Sequence, residues 1–211
     1  MRIIKGQGVC GGVAFGKLEI IKKNFNTIKK SRVENTKKEL ERFEKAKEKA
    51  SEQLKELYQK ALDTIGEENA MIFDIHLMML DDQDYLDSIK ANINEQKLNA
   101  ESAVANTADN FAEMFSSMDD SYMQARATDV RDISERIISI LANKESSGIK
   151  GNESVIIGAE DLAPSETVQL DKNKILAFVT EKGSLNSHTS ILARTIFLPA
   201  CYNPIPRRRE K

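Results

Sequence analysis

The feature that most constrains this chain is a stretch from Ser31 to about Asn143 that contains no proline and a single glycine, Gly66. Proline and glycine are the residues least compatible with a helix interior, so a stretch nearly free of them favours helices. Gly66 is expected to end the first helix. That helix is predicted from apolar residues at steps of three, four or seven, namely Val33, Leu40, Phe43, Ala46, Ala50, Leu54, Leu57 and Ala61.

Three further apolar runs with helical periodicity follow within the same stretch. The first is NAMIFDIHLMML, and the acidic sequence DDQD after it is either a break or a new start. The second contains the apolar residues between Val104 and Phe115, and the third spans about Asp129 to Leu141. Helical segments joined by short polar links predict an antiparallel helical bundle or a pair of hairpins.

The two ends of the sequence differ from this helical stretch. Residues 1–21 mix glycine with β-branched and aliphatic residues, which predicts two strands with a glycine-rich connection. Towards the other end, SVIIGA and ILAFVT are typical of buried strands, and SHTSILART has a helical pattern. The simplest architecture is an α/β domain of residues 1–25 and 145–201 with an all-α domain, residues 30–143, inserted into it. Residues 202–211 form a basic tail unlike either part.

Charge and composition argue against several classes of protein. The net charge of -2, from 31 basic and 33 acidic residues, gives no reason to expect a nucleic acid or an anionic membrane as partner. No window approaches the roughly 18 apolar residues of a membrane span, and the N-terminus lacks the apolar core of a signal peptide, so a cytoplasmic protein is expected. Cys10 and Cys201 are too few for a disulfide framework or a zinc site, and both are expected to be reduced thiols.

His188 is the candidate for chemistry, because it stands where the helix of SHTSILART is predicted to begin. Ser187 can cap this helix, and the free amides of its first turn would then bind an anion beside the histidine. A neutral imidazole is a competent nucleophile at cytoplasmic pH, and these amides would stabilise a phosphoryl group on it. The hydroxyls of Ser187, Thr189 and Ser190 would add donors, and Gly183 would give the turn conformational freedom.

From the residues alone, three interpretations of His188 remain open: a nucleophile, a metal ligand and an ordinary polar residue of a loop. Metal ligation is the weakest, because His76 is the only other histidine and no cysteine or carboxylate cluster lies nearby at ligand spacing. His76 itself lies among apolar residues of a predicted helix, which favours a packed structural histidine. Met71, Met78 and Met79 around it are either core residues or an adaptable docking surface.

Five motifs relate this sequence to a family. They are GGVAFGK, GEENAMIFDIHLMML, ARATDVRDI, DLAPSETVQL and SHTSILART followed by LPA. With these motifs in order, the chain from Met1 to about Ala200 resembles the N-terminal half of Enzyme I, the phosphoenolpyruvate-protein phosphotransferase of the bacterial sugar phosphotransferase system. The resemblance implies a phosphohistidine α/β domain with an inserted helical domain, which agrees with the division predicted from composition.

The resemblance implies roles for two residues of the α/β part. His188 would take a phosphoryl group from phosphoenolpyruvate and give it to a histidine of the small carrier protein HPr, and Thr167 would hydrogen-bond to the imidazole and orient it. Transfer between two imidazoles needs positioning and charge stabilisation more than acid or base chemistry. No cofactor is then expected in this chain, because magnesium would belong to a C-terminal barrel domain that it lacks. Phosphoenolpyruvate alone should leave such a fragment unmodified.

The resemblance also implies that the helical domain is the docking surface for HPr. Acidic residues there would suit a carrier with basic residues around its histidine, and would speed encounter more than they raise affinity. Because members of the family dimerise through the C-terminal half, a monomer is expected. Taken alone, the glutamates are typical of a solvated helix start and the arginine of a surface ion pair. The residues on matching positions are Glu67, Glu68, Met71, Met78, Met79 and Arg126.

Two features depart from the family pattern. The turn before the Ser-His pair usually reads Gly-Gly-X-Thr, whereas residues 183–186 read Gly-Ser-Leu-Asn, of which Asn186 can still donate a hydrogen bond. After Ala200 the sequence leaves the family, so an HPr-binding module or a non-functional remnant without phosphoryl transfer is the alternative hypothesis. Related dikinases and synthases need an ATP-binding domain ahead of the histidine, and no glycine-rich nucleotide loop precedes His188.

Overall fold

The computed structural model of the chain describes residues 5–21, 31–143, 153–185 and 187–202. Contacts between Cα atoms divide the chain into two compact units, Met1–Phe25 with Gly148–Lys211 and Asn26–Ser147. The first unit is built on a β-sheet and the second is helical, so the predicted fold class, α/β plus all-α, is confirmed. No helix within the described ranges is long and apolar enough to cross a membrane.

Described residues of the helical unit form five helices, whose boundaries follow from their caps. Gly66 ends the first helix as predicted, and its φ of 81° lies in the left-handed region that favours glycine. The predicted new start at DDQD is confirmed for the third helix, because the Asp82 carboxylate accepts a hydrogen bond from the Tyr85 amide at 2.9 Å. The helices are α1 Thr36–Ile65, α2 Glu67–Leu80, α3 Gln83–Asn94, α4 Ala100–Ser116 and α5 Ser121–Leu141.

The last helix of this unit begins earlier than the sequence predicts. Its expected start was about Asp129, whereas α5 begins at Ser121. The cause is Asp120, whose Oδ1 accepts hydrogen bonds from the amides of Tyr122 at 2.7 Å and Met123 at 3.3 Å. The motif ARATDVRDI therefore lies within a single helix.

The buried face of α1 follows the predicted apolar stripe with two exceptions. Val33 precedes the helix, and Leu40 is only half-buried, whereas Glu39 is buried in its place. The Oε2 atom of Glu39 accepts hydrogen bonds from the Ala100 amide at 2.9 Å and from Arg42 Nη1 at 2.7 Å. A carboxylate at the positive end of α4 is stabilised there, so this burial joins α1 to α4.

A single five-stranded sheet forms the core of the first unit. Its strands are β1 Gln7–Cys10, β2 Lys17–Ile21, β3 Val155–Ala159, β4 Ile175–Thr180 and β5 Ala200–Tyr202. Their order in the sheet is β1-β5-β4-β3-β2, with β1 antiparallel to β5 and every other pair parallel. The two N-terminal strands and the strands of SVIIGA and ILAFVT are thus confirmed.

Three short elements of this unit were not predicted from the sequence, and a fourth, the helix of SHTSILART, was. The helix α6, Pro164–Gln169, and the single 3-10 turn Lys172–Lys174 were missed because neither is long enough to show a period. Strand β5 was also missed, and its last residue, Tyr202, pairs with Gln7 although the sequence assigned it to the tail. The rest of that tail, residues 203–211, lies outside the described residues. The helix predicted from SHTSILART is α7, His188–Thr195.

Candidate functional site

His188 is the first residue of α7, and its side chain is half-buried. The helix begins there because Ser187 caps it: its Oγ accepts a hydrogen bond from the Ser190 amide at 3.4 Å. The first turn of a helix leaves backbone amides without intrahelical partners, and the helix dipole is positive at this end. The structure therefore places an imidazole beside a positively polarised helix terminus.

Hydroxyl groups hold the turn that leads into α7. Ser187 Oγ donates to Ser190 Oγ at 3.0 Å, and Ser190 Oγ donates to the Ser184 carbonyl at 2.7 Å. From the other end of the helix, Arg194 Nη1 donates to the Leu185 carbonyl at 2.6 Å. Both serine hydroxyls thus shape the turn, and contact with a phosphoryl group would require them to exchange these hydrogen bonds.

Two other residues predicted to stabilise phosphate occupy different environments. Thr189 is only 4% exposed, and its Oγ1 has no hydrogen-bond partner within the described ranges. Gly183 has a φ of +140°, and an added Cβ would lie 3.5 Å from both Ser187 Oγ and Thr180 Oγ1. The backbone angle, rather than lack of space, is the reason for glycine at this position. Asn186 lies outside the described residues.

Thr167 lies in α6, which packs against α7. Its side chain is buried, and Oγ1 donates to the Pro164 carbonyl at 2.8 Å. Because the hydroxyl hydrogen is used in this bond, the lone pairs of Oγ1 remain available to accept an N–H. Glu166 fixes the start of the helix, since its Oε2 accepts a hydrogen bond from the Ala163 amide at 2.7 Å. The helix next to α7 thus holds a buried acceptor in a fixed position.

In the helical unit, α2 exposes large apolar side chains. Met78 is 74% exposed and Met71 is 54% exposed, so these two methionines are not core residues. Met79 is half-buried, and the two glutamates at the start of the helix are exposed. Exposed apolar groups beside acidic groups are typical of a contact surface. We call this set the α2 surface: Glu67, Glu68, Met71, Met78 and Met79.

His76 lies on the opposite, buried side of α2 and has no solvent exposure. Its Nε2 lies 3.3 Å from Asp129 Oδ1, and its Nδ1 lies 3.8 Å from Asp132 Oδ2. Neither ring nitrogen makes a hydrogen bond among the described residues, although each faces a carboxylate oxygen. The ring also meets Phe73 edge to face, with centroids 5.9 Å apart. The predicted packing of His76 inside the helical unit is therefore confirmed.

Arg126 is held on two sides near the beginning of α5. Its Nη1 donates to Asp129 Oδ2 at 2.7 Å, and its Cζ lies 4.3 Å from the centre of the Tyr122 ring. The side chain is only 11% exposed, so Arg126 is more buried than the surface ion pair expected from the sequence alone. Tyr122, which is 61% exposed, was missed. The sequence could have indicated it, because Tyr122 directly follows the residues DDS, which are typical of a helix start.

The charges around Asp129 alter its titration. Burial raises the pKa of this carboxyl group, but the contact with His76 and the ion pair with Arg126 together lower the pKa by more. The net result is a pKa below the ordinary value of 3.8. Asp129 is therefore ionised throughout the neutral range, and the guanidinium of Arg126 is its ion-pair partner.

Comparison with known proteins identifies the family. Residues 5–126 match the model of the N-terminal domain of PEP-utilising enzymes, and residues 151–203 match the model of the mobile domain of the same enzymes. The chain therefore belongs to the PEP-utilising enzymes. Within that class it corresponds to the N-terminal part of Enzyme I, as the relatives and solved structures below show, so the resemblance found in the sequence is confirmed.

The relatives are much longer than this chain. The phosphoenolpyruvate-protein phosphotransferase of Lactococcus lactis is 40% identical over 200 residues, which cover 94% of this chain and 35% of the relative. The enzyme of the same name from Bacillus subtilis is 36% identical over 201 residues, again 35% of its length. The chain thus spans about a third of the length of these relatives.

Two solved structures share the fold. The solution structure of Enzyme I (nEIt) has a TM-score of 0.77 and 33% sequence identity, over 95% of this chain and 82% of that one. The N-terminal domain of Enzyme 1 - Nitrogen has a TM-score of 0.66 over 95% of this chain and 83% of that one, and at 23% identity it supports the fold alone.

The lowered pKa of Asp129 predicts how acid affects the helical unit. Its ionised form supports folding fully above the pKa of the unfolded state, near 3.8, and this support is lost as pH falls through the lower pKa of the folded state. At pH 7 the variant Asp129→Asn should unfold with a free energy about 3 kcal/mol lower than wild type. Urea titrations followed by circular dichroism at pH 7, 5, 4 and 3 measure this difference, which should shrink below about pH 4.

Asp109→Asn is the control for this prediction, because Asp109 pairs with Arg131 of α5 at 3.1 Å but is 72% exposed. Its unfolding free energy should follow wild type at every pH. A difference between wild type and Asp129→Asn that stays constant down to pH 3 would show that the charge of Asp129 does not support the fold.

Proposed function

We propose that His188 carries a phosphoryl group that it exchanges with a histidine of the carrier protein HPr, and that HPr docks on the α2 surface and Arg126. The observation that carries this proposal is the half-buried imidazole at the capped N-terminus of α7. Membership of the Enzyme I family supports it, because the relatives are phosphoenolpyruvate-protein phosphotransferases.

In the proposed transfer, a ring nitrogen of His188 attacks the phosphorus atom of the phosphorylated carrier. A new P–N bond forms while the P–N bond of the carrier breaks. The carrier imidazole leaves with the electron pair of that bond and takes up a proton from water, and the phosphorylated ring of His188 releases one to water. Because bonds of the same kind are made and broken, the exchange is reversible. The amides of the first turn of α7 stabilise the negative charge on the phosphoryl oxygens.

The remaining residues of the site orient and bind in this proposal. Thr167 accepts the N–H of the imidazole through Oγ1 and so fixes which ring nitrogen attacks. Ser187, Thr189 and Ser190 donate to phosphoryl oxygens, for which the two serines exchange their hydrogen bonds within the turn. Gly183 supplies the φ of +140° that this turn requires. No cofactor is needed for these steps.

The names of the relatives point to phosphoenolpyruvate as the original source of the phosphoryl group. The relatives extend far beyond the matched 35% of their length, and charging of His188 by phosphoenolpyruvate is proposed to need groups outside the matched part, together with magnesium. The protein is proposed to act in the cytoplasm as a monomer. Its proposed partner is HPr, and its net charge of -2 gives no reason to expect a nucleic acid or a membrane instead.

Exchange with HPr is tested by incubating the protein with phosphorylated HPr. Acid-labile phosphate should appear on the wild-type protein and be absent from His188→Ala, because that variant lacks the nucleophile. Thr195→Ala is the control, since Thr195 lies at the other end of α7 and its hydroxyl only donates to the Ile191 carbonyl at 2.9 Å. Labelling that persists in His188→Ala would place the phosphate on a different residue.

A binding module without phosphoryl transfer is the second candidate function. The observation in its favour is that the α2 surface lies wholly in the helical unit, which is a compact unit by itself. This unit could therefore bind HPr whatever the state of the α/β unit. Binding of HPr without exchange of phosphate would support this candidate, and exchange would support the phosphohistidine carrier.

Docking on the α2 surface predicts the effect of removing its methionines. The double variant Met71→Ala, Met78→Ala should bind HPr about tenfold or more weakly, because buried apolar anchors carry most of the affinity of an interface. Chemical-shift titration with ¹⁵N-labelled HPr measures the Kd. The control Phe15→Ala removes a side chain that is 88% exposed in the other unit and should leave the Kd unchanged. Equal Kd values for wild type and the double variant would exclude the α2 surface as the docking site.

A further inference from the structure

Four charged side chains lie along one face of α5, and His76 of α2 stands between the two central ones. Successive members are three, three and four residues apart, which are the spacings of neighbouring side chains on a helix, so these side chains form a row. His76 contacts both acidic members, at 3.3 Å and 3.8 Å. The row consists of Arg126, Asp129, Asp132 and Arg136.

Each end of the row is anchored differently. At the inner end, Arg136 Nη1 donates a hydrogen bond to Gln53 of α1 at 2.9 Å. Burial lowers the pKa of Arg136, and the negative charge of Asp132 partly opposes this lowering. At the outer end, Arg126 lies against the ring of Tyr122, a residue that is 61% exposed. The row thus connects the interior of the helical unit to the exposed beginning of α5.

The two aspartates have similar environments but different partners. Asp129 is 4% exposed and Asp132 is 7% exposed, and each contacts one nitrogen of His76. Only Asp129 binds Arg126, through the 2.7 Å hydrogen bond from Nη1. The chain therefore contains a natural pair for comparison: two buried carboxylates on one helix, of which one holds Arg126 and the other does not.

Arg126 retains donors for a partner. One of its N–H groups is used by Asp129, while Nε and Nη2 have no acceptor among the residues that the structure describes. The ion pair and the Tyr122 ring fix the plane of the guanidinium, so these donors have a set direction. A side chain fixed in this way loses less conformational entropy when it binds than a free arginine would.

We propose that Asp129 and His76 are positioning residues of the docking surface, with Asp129 fixing Arg126 and His76 fixing Asp129, so that Arg126 presents its donors to an acceptor oxygen of HPr. This proposal rests on the proposed docking of HPr. Without Asp129, the guanidinium would be a charge that is only 11% exposed and has no counterion, and it would turn away from Tyr122 into water. Docking would then have to order it again.

The test compares Asp129→Asn with Asp132→Asn in the full chain. Titration of ¹⁵N-labelled HPr should give a Kd about tenfold higher for Asp129→Asn and within about twofold of wild type for Asp132→Asn. His76→Gln should have an intermediate effect, about threefold, because it acts on Arg126 only through Asp129. Asp129→Glu, which keeps the charge, should recover most of the affinity.

A second readout separates positioning from loss of structure. In wild type and Asp132→Asn, the side-chain protons of Arg126 should show the upfield NMR shift that a nearby aromatic ring causes, and Asp129→Asn should lose it. Thermal unfolding checks that each variant is folded at the temperature used. If Asp129→Asn does not fold, His76→Gln and Asp129→Glu carry the comparison.

Three results would overturn the inference. Equal weakening by Asp129→Asn and Asp132→Asn would mean that both residues act only through the stability of the helical unit. A wild-type Kd for Asp129→Asn would mean that Arg126 needs no positioning. A persistent ring-current shift in that variant would mean that Tyr122 alone holds Arg126. Absence of HPr binding by the wild-type protein is a separate result, and it would refute the proposed function itself.

Discussion

The hydrogen bond between Ser187 and the Ser190 amide is the interaction on which the candidate site depends, because it ends the turn and begins α7 at His188. A start one residue later would make His188 the N-cap residue, with non-helical backbone angles, and would change the direction in which its imidazole points. The turn is supported from both sides, by the Ser184 carbonyl and by Arg194, which reaches back from the last turn of the helix. A few local hydrogen bonds therefore determine where His188 lies.

In the proposed function, the helical unit serves recognition and the α/β unit serves chemistry. The α/β unit holds His188 and Thr167 on neighbouring helices that pack together at the sheet. The helical unit exposes the α2 surface and buries behind it a network of charges around His76. A buried charge is costly unless it has a partner, and here Arg126 and Asp129 are partners for each other while His76 packs against both aspartates. In the proposal above, this network holds Arg126 in position on the docking surface.

Much of this fold could be predicted from the sequence, because long helices leave a regular apolar pattern. The stripe of α1 and the branched runs of β3 and β4 are of this kind. The predicted start of α5 was wrong because the helix is capped by Asp120 and so begins in a polar stretch, where apolar residues do not recur at helical spacing. Likewise, no local pattern shows that His76 meets Asp129, since that contact joins residues far apart in sequence. The position of His188 followed from capping, whereas its proposed role depends on the family.

The most direct test of the account is to locate the phosphate. After incubation with phosphorylated HPr, digestion with trypsin under neutral conditions should release the peptide 183–194, which is flanked by Lys182 and ends at Arg194. Mass spectrometry should find one phosphoryl group on that peptide, at His188. Phosphate on the peptide that contains His76, or a protein that binds HPr but remains unmodified, would contradict the claim that His188 is the phosphoryl carrier.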